Sequence, residues 1–211
     1  MATSKKGKSE FKGKIGNTVT YELNGQTVKR TIGKNTKDPT KLQLAVRSAV
    51  ALVADLLRPV KGFIRTGFAL EVKNTLLNAN NKATSINILN AVKGVYPNQY
   101  IDYSKAIFSG GKMPVNTEIN VSVTDTGLAF AWDPAYLLKG MHPNDRVLLI
   151  AYCPEKKYAF YETDGARRKE GKEQLPLMKY HEKVTVHTYL AFIAANKKSI
   201  STTIYTGEFL W

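Results

Sequence analysis

The sequence has almost no cysteine, few histidines and no long uninterrupted apolar run. Cys153 is the single cysteine of the 211 residues, so no disulfide forms within the chain and the fold suits a reducing compartment. The longest apolar stretch, residues 45–57, contains Arg47, Ser48 and Asp55. It falls short of the roughly 20 apolar residues that a membrane helix needs. The amino terminus lacks the apolar segment of a secretory signal. We therefore expect a soluble protein, either cytoplasmic or incorporated into a particle assembled in the cytoplasm.

Residue patterns that carry catalysis or bind metals are missing as well. The three histidines, His142, His181 and His187, form no pair at the spacing of metal ligands. The sequence contains no glycine-rich phosphate loop and no nucleophile elbow. His187 shares a face of a predicted strand with Tyr189, which favours a hydrogen-bonded structural histidine. We predict that the protein is not an enzyme and has no cofactor and no catalytic, cofactor-binding or metal-binding residues.

Positive charge is concentrated at the front of the chain. The net charge is +14, and residues 1–70 contain fourteen Lys or Arg against four Asp or Glu, a balance of +10. Residues 117–211 contain twelve against eleven, a balance of +1. This asymmetry is typical of a polyanionic or acidic partner, with nucleic acid as the first candidate. The alternative interpretation is that the lysines only keep the surface hydrated.

The first forty residues predict an arm followed by a hairpin. Residues 1–14 are rich in Lys, Gly and Ser, too polar to bury anything, and predict a flexible basic arm. Residues 15–32 alternate in polarity around Asn24 and Gly25, a pair that suits a type I′ turn. This pattern predicts a β-hairpin.

Helical patterns follow the hairpin. Asp38 can cap the start of a helix, and Pro39 suits its first position. Apolar residues then recur at helical spacing over 42–57, in a stripe that another part of the protein must cover. The helix should end or kink at Pro59. We predict a short helix over 62–68, and another over 85–92 capped by Ser85 after a loop at 78–82. A strand over 100–108 follows.

After Pro114 the sequence changes to short alternating segments. Seven strands are predicted, at 119–123, 128–132, 146–152, 158–163, 174–178, 184–194 and 199–205. This number and spacing favour a β-sandwich. The predicted fold class is α+β, with an N-terminal β-hairpin plus helices in residues 15–113 and a C-terminal seven-stranded antiparallel β-sandwich in residues 114–211.

Trp132, Tyr189 and the serine-rich segment 199–201 carry a resemblance to the fibronectin type III superfamily, an immunoglobulin-like sandwich. Trp132 matches its buried tryptophan on the second strand, and Tyr189 matches the aromatic residue of its penultimate strand. The resemblance implies that Trp132 fills the space between two sheets. It also implies that Tyr189 packs inward with its hydroxyl bonded to backbone, so that both are core residues.

The whole chain is also similar to a family of uncharacterised bacterial proteins of comparable size. The segments that carry this similarity are 13–21, 24–30, 39–47, 96–104 and 186–192. The resemblance implies one continuous architecture and adds no activity.

Two C-terminal features have two interpretations each. Arg167, Arg168 and Lys169 could grip phosphate or carboxylate, but the nearby Glu170 and Glu173 favour a solvated loop. The end of the chain, 208–211, is either a surface for a partner or a segment that folds back on the sandwich.

We expect a non-enzymatic structural or interaction protein, a subunit of a homo- or hetero-oligomeric assembly such as a phage-type virion, that docks other subunits through its basic N-terminal half. The alternative is a nucleic-acid-binding protein without sequence specificity, in which the arm and hairpin neutralise phosphates and Tyr21 stacks on bases. No membrane partner is expected. The candidate contacts are Lys5, Lys6, Lys8, Lys12, Lys14, Tyr21, Lys29, Arg30, Lys34 and Arg47.

Overall fold

The computed structural model describes residues 3–4, 11–23, 25–34 and 36–211, with backbone alone for 3, 4 and 11. The chain forms two compact units, Met1–Thr40 and Lys41–Trp211. The domain boundaries expected after residues 14 and 113 stay a prediction. No helix in these described ranges is long and apolar enough to cross a membrane.

The N-terminal unit is an antiparallel sheet whose strands follow chain order: β1 (Thr3–Ser4), β2 (Phe11–Ile15), β3 (Thr18–Leu23) and β4 (Gln26–Thr31). Strands β3 and β4 are the predicted hairpin, and Asn24 of its predicted turn lies outside the described residues. Residues 11–14 belong to β2, although the sequence assigned them to the arm. Lys and Gly dominate this strand, so its side chains carry no apolar pattern, and pairing with β3 defines it instead.

The second unit begins with its helices: α1 (Lys41–Leu57), α2 (Lys61–Gly67), α3 (Ala69–Val72) and α4 (Ala79–Asn90). A 3₁₀ turn at Arg58–Val60, with Pro59 in its first positions, separates α1 from α2. The predicted loop at 78–82 is wrong. Asn78 caps α4 by accepting a hydrogen bond from the backbone N–H of Asn81 at 2.8 Å, so the helix begins at Ala79, six residues before Ser85.

The remaining strands are β5 (Val92–Lys93), β6 (Tyr100–Ile101), β7 (Ile119–Thr124), β8 (Gly127–Trp132), β9 (Arg146–Cys153), β10 (Tyr158–Glu162), β11 (Lys172–Pro176), β12 (Thr185–Ile193) and β13 (Ile204–Leu210). They form a four-stranded antiparallel sheet in the order β10-β9-β12-β13, a three-stranded one in the order β11-β8-β7, and the short pair β5-β6. Six of the seven predicted strands overlap closely with observed ones. The last lies at Ile204–Leu210 rather than 199–205, and the strand predicted over 100–108 is reduced to β6 and a turn.

The two central strands of the four-stranded sheet, β9 and β12, are buried on both faces. Leu148, Ile150, Tyr189 and Ala191 pack on the helices in one buried cluster, which includes residues of α1, α2 and α4. The alternate residues of β9 and β12 pack in a second cluster with residues of the three-stranded sheet: Val147, Leu149, Leu190, Phe192, Leu128, Phe130 and Trp132. The second unit is therefore built of antiparallel sheets and helices that share cores. A closed seven-stranded sandwich is not identified in the described residues.

Trp132 and Tyr189 lie in different clusters. Trp132 packs edge-on against Phe192, and its Nε1–H donates to the carbonyl of Arg168 at 2.7 Å. The Tyr189 hydroxyl donates to the carbonyl of Tyr103 at 2.8 Å, so the predicted bond to backbone is confirmed. Tyr189 faces the helices, however, and not the three-stranded sheet.

Candidate docking surface

Strand register brings basic side chains together on the N-terminal sheet. Val19 of β3 lies opposite Lys14 of β2 and opposite Arg30 of β4, so the three side chains project from one face. Lys14 and Arg30 are exposed and stand two strand spacings apart, about 10 Å at the backbone. We call the face formed by Lys14, Val19, Tyr21, Leu23, Val28 and Arg30 the basic face.

Tyr21 adds an aromatic ring to the basic face. It lies opposite Val28 in the β3–β4 pairing and is half-buried. The guanidinium carbon of Arg30 lies 5.9 Å from the centroid of its ring, within the range of a cation–π contact. The face therefore combines an apolar and aromatic centre with a cation at each margin.

The other described candidates of this unit lie elsewhere on the sheet. Lys29 lies opposite Thr20, so it projects from the face opposite to the basic face. Lys34 is exposed beyond the end of β4. Lys12 forms an ion pair with Glu22, and both side chains are about half exposed. The structure thus joins Lys14, Tyr21 and Arg30 but separates Lys29 and Lys34 from them.

The N-terminal unit has little interior. Among its residues whose side chains are described, none is buried, and Ile15 and Leu23 are 58% and 53% exposed. Small sheets need a hydrophobic face covered by other elements to be independently stable. This sheet therefore presents most of its side-chain surface.

The remaining predicted contacts are not part of the described basic face. Lys5, Lys6 and Lys8 lie outside the described residues. Arg47 is exposed on α1, in the second unit.

The apolar stripe of α1 is covered only in part. Val53, Leu56 and Leu57 are buried, whereas the stripe of Leu42, Val46 and Val50 is 81%, 62% and 41% exposed.

An aromatic cluster that the sequence did not reveal surrounds His187 in the second unit. The imidazole stacks on Tyr103 at 4.4 Å between centroids, and Nδ1 lies 3.1 Å from the Tyr205 hydroxyl. Burial lowers the pKa of His187, while Glu208 and Glu155 oppose that shift. The predicted hydrogen bond of His187 is confirmed, and its structural role stays a prediction. Tyr103 comes from the turn after β6, far away in sequence, so no local pattern predicted the contact.

The buried thiol near this cluster is not activated. Cys153 is fully buried, and burial raises its pKa. Its Sγ–H donates to Glu155 Oε2 at 3.3 Å. Reactive cysteines depend on the thiolate, which positive surroundings and exposure favour. Neither condition holds here, so the site has the character of core packing.

Arg168 corrects the expectation of a solvated loop at 167–169. Its side chain is fully buried, with Nε 3.3 Å from Asp145 Oδ2 and Nη1 bonded to Asn116 Oδ1. The guanidinium carbon also lies 3.7 Å from the centroid of Phe192. Burial lowers the pKa of Arg168, and the Asp145 carboxylate acts in the opposite direction. The 3₁₀ turn Arg168–Glu170 directs this one residue inward while Arg167 and Lys169 stay exposed.

The chain end folds back on the sheets. Trp211 Nε1–H donates to the carbonyl of Met178 at 2.8 Å, and Phe209 and Trp211 pack against the cluster that contains Trp132. In the part of the chain that the structure describes, no three His, Cys, Asp or Glu side chains are grouped so that they could hold a metal ion.

Comparison with known proteins identifies one family. The one described as "Family of unknown function (DUF6266)" matches residues 9–207, which span both compact units. No curated protein and no solved structure matches the chain. The resemblance to the fibronectin type III superfamily is not shown by these comparisons.

Proposed function

This chain belongs to the Family of unknown function (DUF6266), and we propose that it is a non-enzymatic interaction protein, a subunit of a larger assembly that docks through its basic N-terminal sheet. The observation that carries the proposal is the exposed basic face on a sheet without a buried side chain among those described. A unit with so little core gains most from burying its surface against a partner.

The composition of the basic face favours a protein partner with acidic groups. Val19, Tyr21 and Val28 provide a continuous apolar centre, and Lys14 and Arg30 flank it. Protein interfaces commonly have an apolar and aromatic core with a polar rim. Arginine pairs with carboxylates through two parallel hydrogen bonds, and cations at the rim select complementary charge. An acidic patch with a central apolar side chain matches this face.

We propose that the second unit supplies a fibronectin type III-like scaffold. Of the seven strands β7–β13, the first, second and fifth share one sheet, and the third, fourth, sixth and seventh share the other. Immunoglobulin-like sandwiches also place strands A, B and E in one sheet and C, F and G in the other. The fourth strand here, β10, joins the second of these sheets, as the additional strand C′ of variable-type domains does. The cluster around Trp132 and Phe192, which draws on both sheets, supports this assignment.

The docking proposal is tested by sedimentation of the full chain in extracts of cells that produce it naturally. The wild type should sediment in a particle much larger than the monomer. The double variant Lys14→Glu with Arg30→Glu should return to the monomer position, because it places negative charge against an acidic partner. The matched control, Lys197→Glu with Lys198→Glu, makes the same charge change in an exposed turn and should stay in the particle.

A wild-type chain that sediments as a free monomer in such extracts contradicts the proposal. Equal behaviour of the two double variants contradicts the assignment to the basic face. Nuclease treatment of the same extract separates the alternatives, since a protein assembly persists and a nucleic-acid complex falls apart.

A second candidate function, nucleic-acid binding without sequence specificity, is favoured by the Arg30–Tyr21 contact, because bases stack on aromatic rings beside cations. Fluorescence anisotropy with generic DNA and RNA tests it. Affinity should fall steeply with salt. That slope should flatten after deletion of residues 1–14 or in the variant Lys14→Glu with Arg30→Glu. Absence of binding to DNA and RNA at low salt would contradict this second candidate function.

A further inference from the structure

Strand β10 is an edge strand whose only charged residue, Glu162, lies at its last position. Among the described strands it pairs with β9 alone. Its five residues include Tyr158, Phe160 and Tyr161, with no proline, lysine or glycine and no irregularity in its register with β9. Native sheets usually place charges, prolines or bulges on such edges because unpaired backbone groups attract other strands.

The other edges of the two larger sheets differ from β10. Strand β11 carries Lys172, Glu173 and Pro176. Strand β13 has an irregular register opposite Thr188 and Tyr189 and contains Gly207 with a φ of 129°. Strand β7 lies against β13 of the other sheet, as β10 lies against β11. Strand β10 differs from all three in its aromatic content, with three aromatic residues among its five.

An open groove runs along β10. All five residues of the strand line it, together with Leu175 and Pro176 of β11, and its volume is about 340 Å³. Tyr158 and Tyr161 are 49% and 38% exposed beside it. Addition of a strand to an open sheet edge uses the backbone for affinity and side chains for selectivity.

We propose that β10 pairs in antiparallel orientation with β10 of a second copy of this chain, joining two four-stranded sheets into one. The charges around the strand favour this occupant. Lys156 and Lys157 precede β10, whereas Glu162 and Asp164 end and follow it. Antiparallel pairing centred on Phe160 sets Tyr158 opposite the second copy's Glu162. It also brings the lysines of the turn before each strand towards the acidic residues at the end of the other strand. Parallel pairing would set like charges against each other.

Self-pairing of this kind closes with two-fold symmetry. Phe160 meets its own copy on the symmetry axis, and every other pair of the two strands occurs twice. Within one chain Tyr158 and Phe160 already form an edge-to-face pair at 5.1 Å. The proposal does not rest on the basic face, since no residue of the N-terminal unit takes part.

Three of the four charged residues make contacts that leave their charges available. The fourth, Glu162, accepts hydrogen bonds at Oε1 from the backbone N–H groups of Thr163 and Asp164 at 2.7 and 2.9 Å. Lys157 lies 3.4 Å from Asp55, and Asp164 lies 3.7 Å from Arg146, with exposed fractions of 68% for Lys157 and 63% for Asp164. Lys156 lies over the Tyr180 ring at 5.7 Å. Exposed pairs such as these contribute little to stability. Their charges can therefore act across an interface.

Two complementary variants of the full chain test the proposal by sedimentation velocity. Lys156→Glu with Lys157→Glu makes both ends of β10 acidic, and Glu162→Lys with Asp164→Lys makes both ends basic. The wild type should dimerise and each variant alone should be monomeric. An equimolar mixture of the two should recover the dimer, because a basic end then meets an acidic end on both sides of the paired strands. Lys197→Glu with Lys198→Glu is the matched control and should dimerise like the wild type.

The mixture is the decisive sample, since two misfolded variants would not restore a dimer. A wild type that stays monomeric over the concentration range overturns the proposal, as does a dimer that both charge variants retain. A second measurement does not depend on charge. Tyr158→Cys with Glu162→Cys should give a disulfide-linked dimer under mild oxidation, whereas Tyr158→Cys alone should not. Failure of the double variant to cross-link overturns the register.

Discussion

Arg168 shows how a basic residue becomes part of a core. Its guanidinium forms an ion pair with Asp145, its Nη1 donates a hydrogen bond to Asn116 Oδ1, and its flat face packs on the ring of Phe192. Its own carbonyl accepts the Trp132 indole N–H. The side chain and the backbone of Arg168 therefore both contact the buried cluster that contains Trp132 and Phe192. Such a buried pair is costly to desolvate. Removing one member nevertheless destabilises the fold strongly, because the other charge is then buried without a partner.

Asp145→Ala is expected to lower the free energy of unfolding by about 3–5 kcal/mol, because the guanidinium would stay buried without its counter-charge. Urea unfolding followed by tryptophan fluorescence measures the loss. Arg167→Ala, at the exposed neighbouring position, should change the same quantity by less than about 0.5 kcal/mol. Similar losses in the two variants would contradict the assigned pair.

His187 makes stability depend on pH in a defined direction. Burial lowers its folded-state pKa below the ordinary 6.5, although Glu208 and Glu155 oppose the shift. Between those two pKa values the unfolded chain binds a proton that the folded chain does not. The free energy of unfolding should therefore fall as the pH decreases through 6.5 towards the lowered value.

Urea unfolding at a series of pH values measures this slope for the wild type and for His187→Gln. The variant should show a flatter dependence in that window, because the titrating group is absent. An unchanged slope would show that other groups, and not His187, carry the effect. A slope of opposite sign would mean that Tyr103, Tyr205 and Glu208 favour the imidazolium.

At the scale of elements, the helix α4 depends on the residue that caps its start, Asn78. The side chain of Asn78 satisfies the N–H of Asn81, one of the backbone donors that a helix start leaves unpaired. Asn78→Ala should lower the free energy of unfolding by about 1 kcal/mol. Ser85→Ala, at an exposed position inside the same helix, should be neutral or slightly stabilising because alanine has the higher helix propensity. Chemical unfolding of both variants makes the comparison, and the reverse order would contradict the observed cap.

Elements with a strong local pattern were predicted well, and those defined by distant contacts were not. The hairpin β3–β4, the helix over 42–57 and most of strands β7–β12 follow from alternation, spacing and turn residues. Strand β2 has no apolar pattern and exists through pairing with β3. The start of α4 was missed because asparagines suit both loops and caps. Strand β13 was misplaced because Ser199–Ser201 looks like a strand but forms isolated bridges with β12 and residues 112–113.

The candidate site was predictable in composition but not in arrangement. The charge count pointed to the first residues of the chain, and Lys14, Tyr21 and Arg30 were among the candidates. Their common face depends on the register of a strand that the sequence did not reveal. Arg168 and Tyr103 acquire their roles from partners 23 and 86 residues away, at Asp145 and Tyr189, and local patterns carry no such information.

At the scale of the whole molecule, the two compact units differ in how much they bury. Strands β9 and β12 are almost completely buried, whereas no described side chain of β2–β4 is. Amides of the isolated protein should therefore exchange much faster in β3 and β4 than in β9 and β12. Hydrogen exchange with mass spectrometry of the full chain measures this difference. Equal protection in the two sets of strands would contradict the view that the N-terminal sheet lacks a stabilising core.

The double burial of β12 also limits how this family can vary in length. In a half-exposed strand, a one-residue insertion is rejected because it turns apolar side chains to water. Both faces of β12 are buried in apolar clusters, so that penalty is absent. The register of β12 must instead depend on the shapes of its side chains and on individual hydrogen bonds. His187 with Tyr205 and Tyr189 with the Tyr103 carbonyl form such hydrogen bonds. Insertions and deletions should thus be rarer in β12 than hydrophobic substitutions. A shift of the strand by one residue would break both polar pairs, so these pairs should fix its register.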